Sequence, residues 1–220
     1  MRALVPFKAD DAKSRLSEVL SRTERDELAR LMLEGVLVKL LRSDVGVVEV
    51  ASTSMAFEPP VEKVGWIYAP NSLDELVNSY LEKVAEHIPG EQVMVVMADL
   101  PLITTRNIHE IASSSADVVI APGRGGGTNI LKVAKPDVFE VRYYELSFLT
   151  HLKRAEQRGL SAEVYDSFYT SVDIDEPTDL VELLIHGSGE VKSYLEEAGF
   201  YLEPRGASVV LKRGESRARI

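Results

Sequence analysis

Residues 91–102 are "EQVMVVMADLPL", and the character of this stretch decides the fold. Val93 to Ala98 is an unbroken run of six apolar residues, far below the ~20 needed to cross a bilayer. It predicts a strand covered on both faces, because a half-solvated strand alternates apolar with polar residues. Such strands belong to mostly parallel sheets sandwiched between helices. Asp99 follows the run directly, so its carboxylate is expected beyond the strand's carboxyl end, where sheets of this kind bind ligands. Taken alone, Asp99 also suits a turn ahead of Leu100-Pro101.

Working outward, strands are expected at residues 3–7, 45–50, 65–68, 117–121, 128–133, 162–164 and 169–174. Between them lie helical periodicities, two of them opened by S-x-x-E capping boxes, Ser21 with Glu24 and Ser72 with Glu75. Further helices are expected after Thr104-Thr105, near 145–158 and over 177–185. This order predicts an α/β protein, a Rossmann-like three-layer α/β/α sandwich with a mixed, mostly parallel sheet. One domain over 1–220 is expected, with 187–220 adding a helix and a strand at 208–211. That addition could form a dimer face, giving a homodimer, or extend the sheet.

Composition narrows the function classes. With 25 basic and 35 acidic residues the net charge is −10, which argues against non-specific nucleic-acid binding. A small anion held by a few focused cations stays compatible, although the stretch from Lys212 to Arg219 is basic. There is no cysteine, so disulfides, thiolate metal sites and cysteine nucleophiles are excluded together. The short apolar start "MRALVPFK" falls below the roughly 7–15 residues of a signal-peptide core, and the expected location is the cytoplasm.

Candidate site residues cluster at the predicted strand ends. "PFKADDAKSRLS" carries Lys8, Lys13 and Arg15. Asp10 and Asp11 suit a helix start, whereas three cations there oppose the macrodipole unless a polyanion such as phosphate joins them. In "SVDIDEPTDL", Asp173 and Asp175 stand two apart and share one face of an extended chain. Asp175 could equally cap the following helix, which leaves Asp173 unexplained. Asp99, Asp173 and Asp175, without cysteine or paired histidines, point to a hard cation such as Mg²⁺. His87, His109, His151 and His186 stand singly and are expected in surface or structural roles.

The stretch "APGRGGGTNILK" (121–132) lacks the Gly-Lys-Ser/Thr of a P-loop, and a strand rather than a helix leaves it. Phosphate binding there would use a backbone nest, the Thr128 hydroxyl and Arg124, and a hairpin turn is the simpler alternative.

Together these motifs resemble the 2-phospho-L-lactate guanylyltransferases of deazaflavin coenzyme (F-420) biosynthesis. The matching stretches are Pro6-Phe7-Lys8, Ala12 to Leu16, Ala98 to Leu102, Ala121-Pro122 with Arg124 to Asn129, Ser147-Phe148 with His151, and Asp173 to Leu180. The pairing of R-G-G-G-T-N with D-x-D-x-P-x-D-L carries most of the specificity. The resemblance implies a nucleotide-diphospho-sugar transferase (GT-A) type fold and transfer of GMP from GTP to 2-phospho-L-lactate. It implies Mg²⁺ on Asp99, Asp173 and Asp175, Lys13 and Arg15 against the departing pyrophosphate, and the acceptor at Thr128 and around Tyr144 to Ser147. Bacterial relatives are associated with phosphoenolpyruvate. Two departures stand out. Tyr143-Tyr144-Glu145-Leu146-Ser147-Phe148 replaces a glycine-containing F-G-P-G-S-F. Leu73-Asp74 stands where many members have Leu-Asn; Asp74 could accept guanine's N–H donors or simply suit a helix start. The rival readings are the same chemistry on phosphoenolpyruvate or 3-phosphoglycerate, a nucleotidyltransferase with another acceptor such as a molybdopterin guanylyltransferase or a sugar-phosphate pyrophosphorylase, and a nucleotide-binding subunit without turnover.

Overall fold

The computed structural model describes residues 1–9 and 12–214, so the expectations for Asp10 and Asp11 and for the chain after residue 214 fall outside it. A seven-stranded sheet has the order β3-β2-β1-β4-β6-β5-β7. Its members are β1 (Arg2–Phe7), β2 (Val47–Ser52), β3 (Gly65–Tyr68), β4 (Val93–Val96), β5 (Val118–Pro122), β6 (Thr128–Val133) and β7 (Ala162–Val164). Only β6 runs against its neighbours, because a tight loop joins it to β5.

Period two explains the sandwich. In β4, Met94 and Val96 join one core with Leu33, Val36, Leu37 and Leu40 of α1 (Arg22–Leu41) and Ile108 and Ile111 of α3 (Thr105–Ser113). Val93 and Val95 join the opposite core with Val77, Leu81 and Val84 of α2 (Leu73–His87) and Ala155 of α4 (Ser147–Gln157). All four strand residues are fully buried. Burying each such side chain contributes about 1.5–3 kcal/mol, which fixes the strand's register against both helix layers. Both capping boxes form, Ser21 with Glu24 and Ser72 with Glu75.

Two expectations change. Residues 169–174 are not a strand. Ser167 O takes the amides of Thr170 and Ser171, making one helical turn, α5 (Phe168–Ser171). The chain then runs extended past β4, where the Ile174 amide bonds Asp99 O at 3.1 Å. After α6 (Asp179–His186) and α7 (Glu190–Glu197), the tail holds two strands, β8 (Phe200–Arg205) and β9 (Ser208–Arg213), rather than one. They pair only with each other and do not extend the main sheet. Phe200, Leu202 and Leu211 pack with Leu28 of α1 and Leu184 of α6. The Arg213 guanidinium lies 4.9 Å from the Phe200 ring centre. Pro204 and the exposed Tyr201, Glu203 and Arg205 hide β8 from a periodicity reading. Among the described residues no helix is long and apolar enough to cross a membrane.

Candidate active site

The carboxyl ends of β1 and β4 open into a cleft of about 340 Å³ lined by Lys8, Lys13, Arg15, Asp99 and Asp175, with Met32 and Met97 on its apolar wall. The chain after β1 turns sharply at Lys13, whose φ of 55° is left-handed, into a short 3₁₀ turn over Ser14–Glu18. That turn sends Lys13 across the cleft. Its ammonium lies 2.5 Å from Asp99 Oδ2 and 2.8 Å from Asp175 Oδ1. Arg15, largely exposed, reaches Asp175 Oδ2 at 3.4 Å. Lys8 is exposed on the rim.

Asp173 reaches this cluster because the Ile174 amide is pinned to Asp99 O. Burial, then the neighbouring Asp99 charge, raises its carboxyl above the usual range. Asn129 Nδ2, at 3.4 Å, is its side-chain donor. Burial by itself would lower Lys13, but the Asp99 and Asp175 carboxylates outweigh it and hold the ammonium above the ordinary lysine range. Asp175 does not cap the next helix. Asp179 Oδ2 takes the amides of Asp175 and Glu176 at 2.9 and 2.8 Å, leaving the Asp175 carboxylate to the cations.

Among the described residues no three acidic or histidine side chains stand together as a ready metal cage. Asp99 Oδ1, however, is buried and has no hydrogen-bond partner. An unpartnered carboxylate oxygen beside the crowded Asp173 suits a hard cation, and Mg²⁺ commonly takes only one or two carboxylates beside substrate phosphate and water. The residues present therefore fit the ion.

The glycine loop lies between β5 and β6. Gly126 has φ +81°, and a Cβ on it would stand 2.8 Å from Leu146 Cδ2, so the loop's own packing requires that glycine. Cβ atoms at Gly125 and Gly127 would meet nothing, so packing does not account for them. Arg124 is spent within the fold: its guanidinium pairs with Asp179 Oδ1 at 2.7 Å and Glu182 Oε1 at 3.6 Å. It ties the loop to the start of α6 instead of standing free for an acceptor.

Thr128 and Ser147, distant in sequence, do meet. Ser147 Oγ donates to Thr128 Oγ1 at 3.2 Å, and both residues are buried. Thr128 Oγ1 also lies 2.9 Å from His151 Nδ1. Tyr144 is more than half exposed beside Glu145, whose φ is 61°. Asp74 Oδ1 accepts the Tyr143 amide at 2.6 Å, so this helix-start carboxylate holds the loop ahead of α4. Sequence reasoning missed Asp179 and the placement of His151. The signal for His151 was its i+4 spacing from Ser147 on the buried face of α4.

Comparison with known proteins agrees with this layout. Residues 1–215 match the family model described as guanylyl transferase CofC like. The chain is 48% identical over 197 residues to a 2-phospho-L-lactate guanylyltransferase of Methanosarcina barkeri, covering 90% of this chain and 92% of that one. To the protein of the same name from Methanocella arvoryzae it is 43% identical over 219 residues, covering 100% and 95%. A Desulfovibrio desulfuricans structure described as a candidate nucleotide-diphospho-sugar transferase superposes with TM-score 0.74 at 19% identity, covering 89% of this chain and 94% of that one. A 4-diphosphocytidyl-2C-methyl-D-erythritol synthase structure gives 0.56 at 16% identity, covering 84% and 98%. At these identities the two structures speak for the fold alone. On the family match and the full-length relatives, the chain belongs to the guanylyl transferase CofC-like family.

Proposed function

We propose that this protein transfers the GMP unit of GTP to the phosphate of 2-phospho-L-lactate, releasing pyrophosphate and forming lactyl-2-diphospho-5′-guanosine. The observation that carries the reading is the cluster of Lys13, Asp99 and Asp175 at the ends of β1 and β4, with Asp99 Oδ1 unpartnered. The full-length relatives that bear this activity in their names support it.

The chemistry sets what the chain must do. A phosphate monoester carries about −1.5 to −2 charge at pH 7, so the nucleophile needs no general base. An acceptor phosphate oxygen forms a bond to the GTP α-phosphorus while the bond to the pyrophosphate oxygen breaks. The obstacle is bringing two polyanions together, so catalysis consists of positioning and charge neutralisation. Lys13 and Arg15 neutralise the departing pyrophosphate, with Lys8 on the cleft rim. Asp99, Asp173 and Asp175 would hold Mg²⁺, with the unpartnered Asp99 Oδ1 as first donor. Bound there, Mg²⁺ would supply positive charge between the two phosphates. Thr128, Ser147 and the amides of Gly125 and Gly127 receive the acceptor's anionic groups, with Tyr144 at the edge. Helix α7 and the β8–β9 hairpin belong to the same unit, as Phe200 packs in one cluster with Leu16 and Leu28.

A pyrophosphate-release assay tests the assignment. Four nucleoside triphosphates are crossed with phospholactate, phosphoenolpyruvate and 3-phosphoglycerate. Release with GTP and phospholactate above the other pairs is the expected result. Release only with a different acceptor would reassign the substrate. Tight GTP binding without release from any pair would make the protein a binding subunit.

A further inference from the structure

Three groups near the acceptor side form a directed chain. The Arg142 backbone N–H can only donate, and it lies 2.9 Å from His151 Nε2. Nε2 must therefore present its lone pair, which places the proton of the neutral ring on Nδ1. Burial, assisted by the nearby Arg154 charge, lowers His151 to about 4, so the ring is neutral around pH 7. The ring is fully buried, with Tyr143 edge-on at 5.1 Å and Phe139 at 6.0 Å, so it has no freedom to flip. Nδ1–H then donates to Thr128 Oγ1, 2.9 Å away. Ser147 Oγ donates to the same oxygen. A hydroxyl has two lone pairs and one proton. With His151 donating into Thr128, the Thr128 and Ser147 hydroxyls use one proton between themselves, and among the described residues nothing accepts the other. With the opposite tautomer, His151 Nδ1 would take that proton itself.

We propose that His151 is a positioning residue which, fixed as the Nδ1–H tautomer by the Arg142 amide, turns the Thr128–Ser147 hydroxyl pair into an obligate donor toward the anionic group of the acceptor. His151 acts through Thr128 and does not itself touch the acceptor. The inference rests on the reading that the acceptor sits at the glycine loop.

The test uses the full chain and 2-phospho-L-lactate as probe. Thr128→Val first establishes whether that reading holds, by raising the acceptor KM about tenfold with the GTP KM unchanged. His151→Phe keeps the packing and removes the chain, and should raise the acceptor KM to a similar degree. His151→Asn retains a donor at the Nδ1 position and should recover most of that loss. The double variant Thr128→Val/His151→Phe should be no worse than Thr128→Val alone, since the two act as one unit. An unchanged acceptor KM in Thr128→Val would sink the acceptor placement. A raised KM there, with His151→Phe unaffected or the two effects additive, would overturn the role given to His151. Should His151→Phe not fold, nitrogen NMR of the unmodified protein decides: Nδ1 protonated and Nε2 bare from about pH 5 to 8 supports the proposal, and Nε2 protonated refutes it.

Discussion

Lys13 and Asp99, 86 residues apart in the chain, meet with the ammonium 2.5 Å from Oδ2, the first from the loop after β1 and the second from the end of the neighbouring β4. Their contact joins the cationic loop to the acidic one. It also divides the Asp99 carboxylate: one oxygen is paired, and the other is buried without a partner.

That division makes Asp99→Asn informative. The amide removes the negative charge that a cation and the phosphates require, while relieving the like charge that raises Asp173. Turnover should fall about 10²–10³-fold, the range seen when one electrostatic stabiliser is removed. The melting temperature should fall far less than turnover does, because the relief at Asp173 offsets part of the Lys13 pairing that is lost. Steady-state kinetics and a thermal melt on the same preparation check both. Wild-type turnover with Mg²⁺ present would remove Asp99 from the site.

Arg124 links the glycine loop to Asp179, whose other oxygen holds the amides of Asp175 and Glu176. Arg124→Ala should therefore loosen both substrate loops together. The expected outcome is a several-fold rise in both the GTP and the acceptor KM. A rise confined to the acceptor would mean that Arg124 leaves Asp179 to bind it directly.

Lys39 offers a pH test away from the chemistry. It is largely buried, donates to Pro101 O at 2.9 Å, and burial lowers it to about 8. The folded state thus releases this proton more readily than the unfolded chain, so stability rises as pH climbs from about 8 to the ordinary lysine value near 10.4. The full effect is on the order of 3 kcal/mol. Lys39→Met should abolish that rise, measured as the difference between the two proteins in denaturant titrations at pH about 8 and 10. An identical pH dependence in both would show that Lys39 titrates as if exposed.

Much of this was legible in the sequence, for physical reasons. The apolar run ending at Asp99 fixes a doubly covered strand whatever surrounds it, and capping boxes carry their own hydrogen bonds. Local patterning also placed Lys13 and Asp99 at neighbouring strand ends, whereas Asp175, expected at the end of a strand over 169–174, reaches them from an extended segment instead. What escaped it depends on long-range partners. Residues 169–174 have strand-like composition but turn once because Ser167 O takes two amides. Arg124 reads as free in sequence because Asp179 lies 55 residues away. The unexpected tail strand, β8, is amphipathic only against helices that periodicity cannot place beside it.

The central claim is that an acceptor phosphate attacks the α-phosphorus of GTP. It is tested most directly with GTP radiolabelled on the α-phosphorus, incubated with 2-phospho-L-lactate, Mg²⁺ and the protein. The label should appear in a guanosine diphosphate ester of lactate, with an equal amount of unlabelled pyrophosphate. Label remaining in GTP that is demonstrably bound, or appearing in free GDP, would contradict the account.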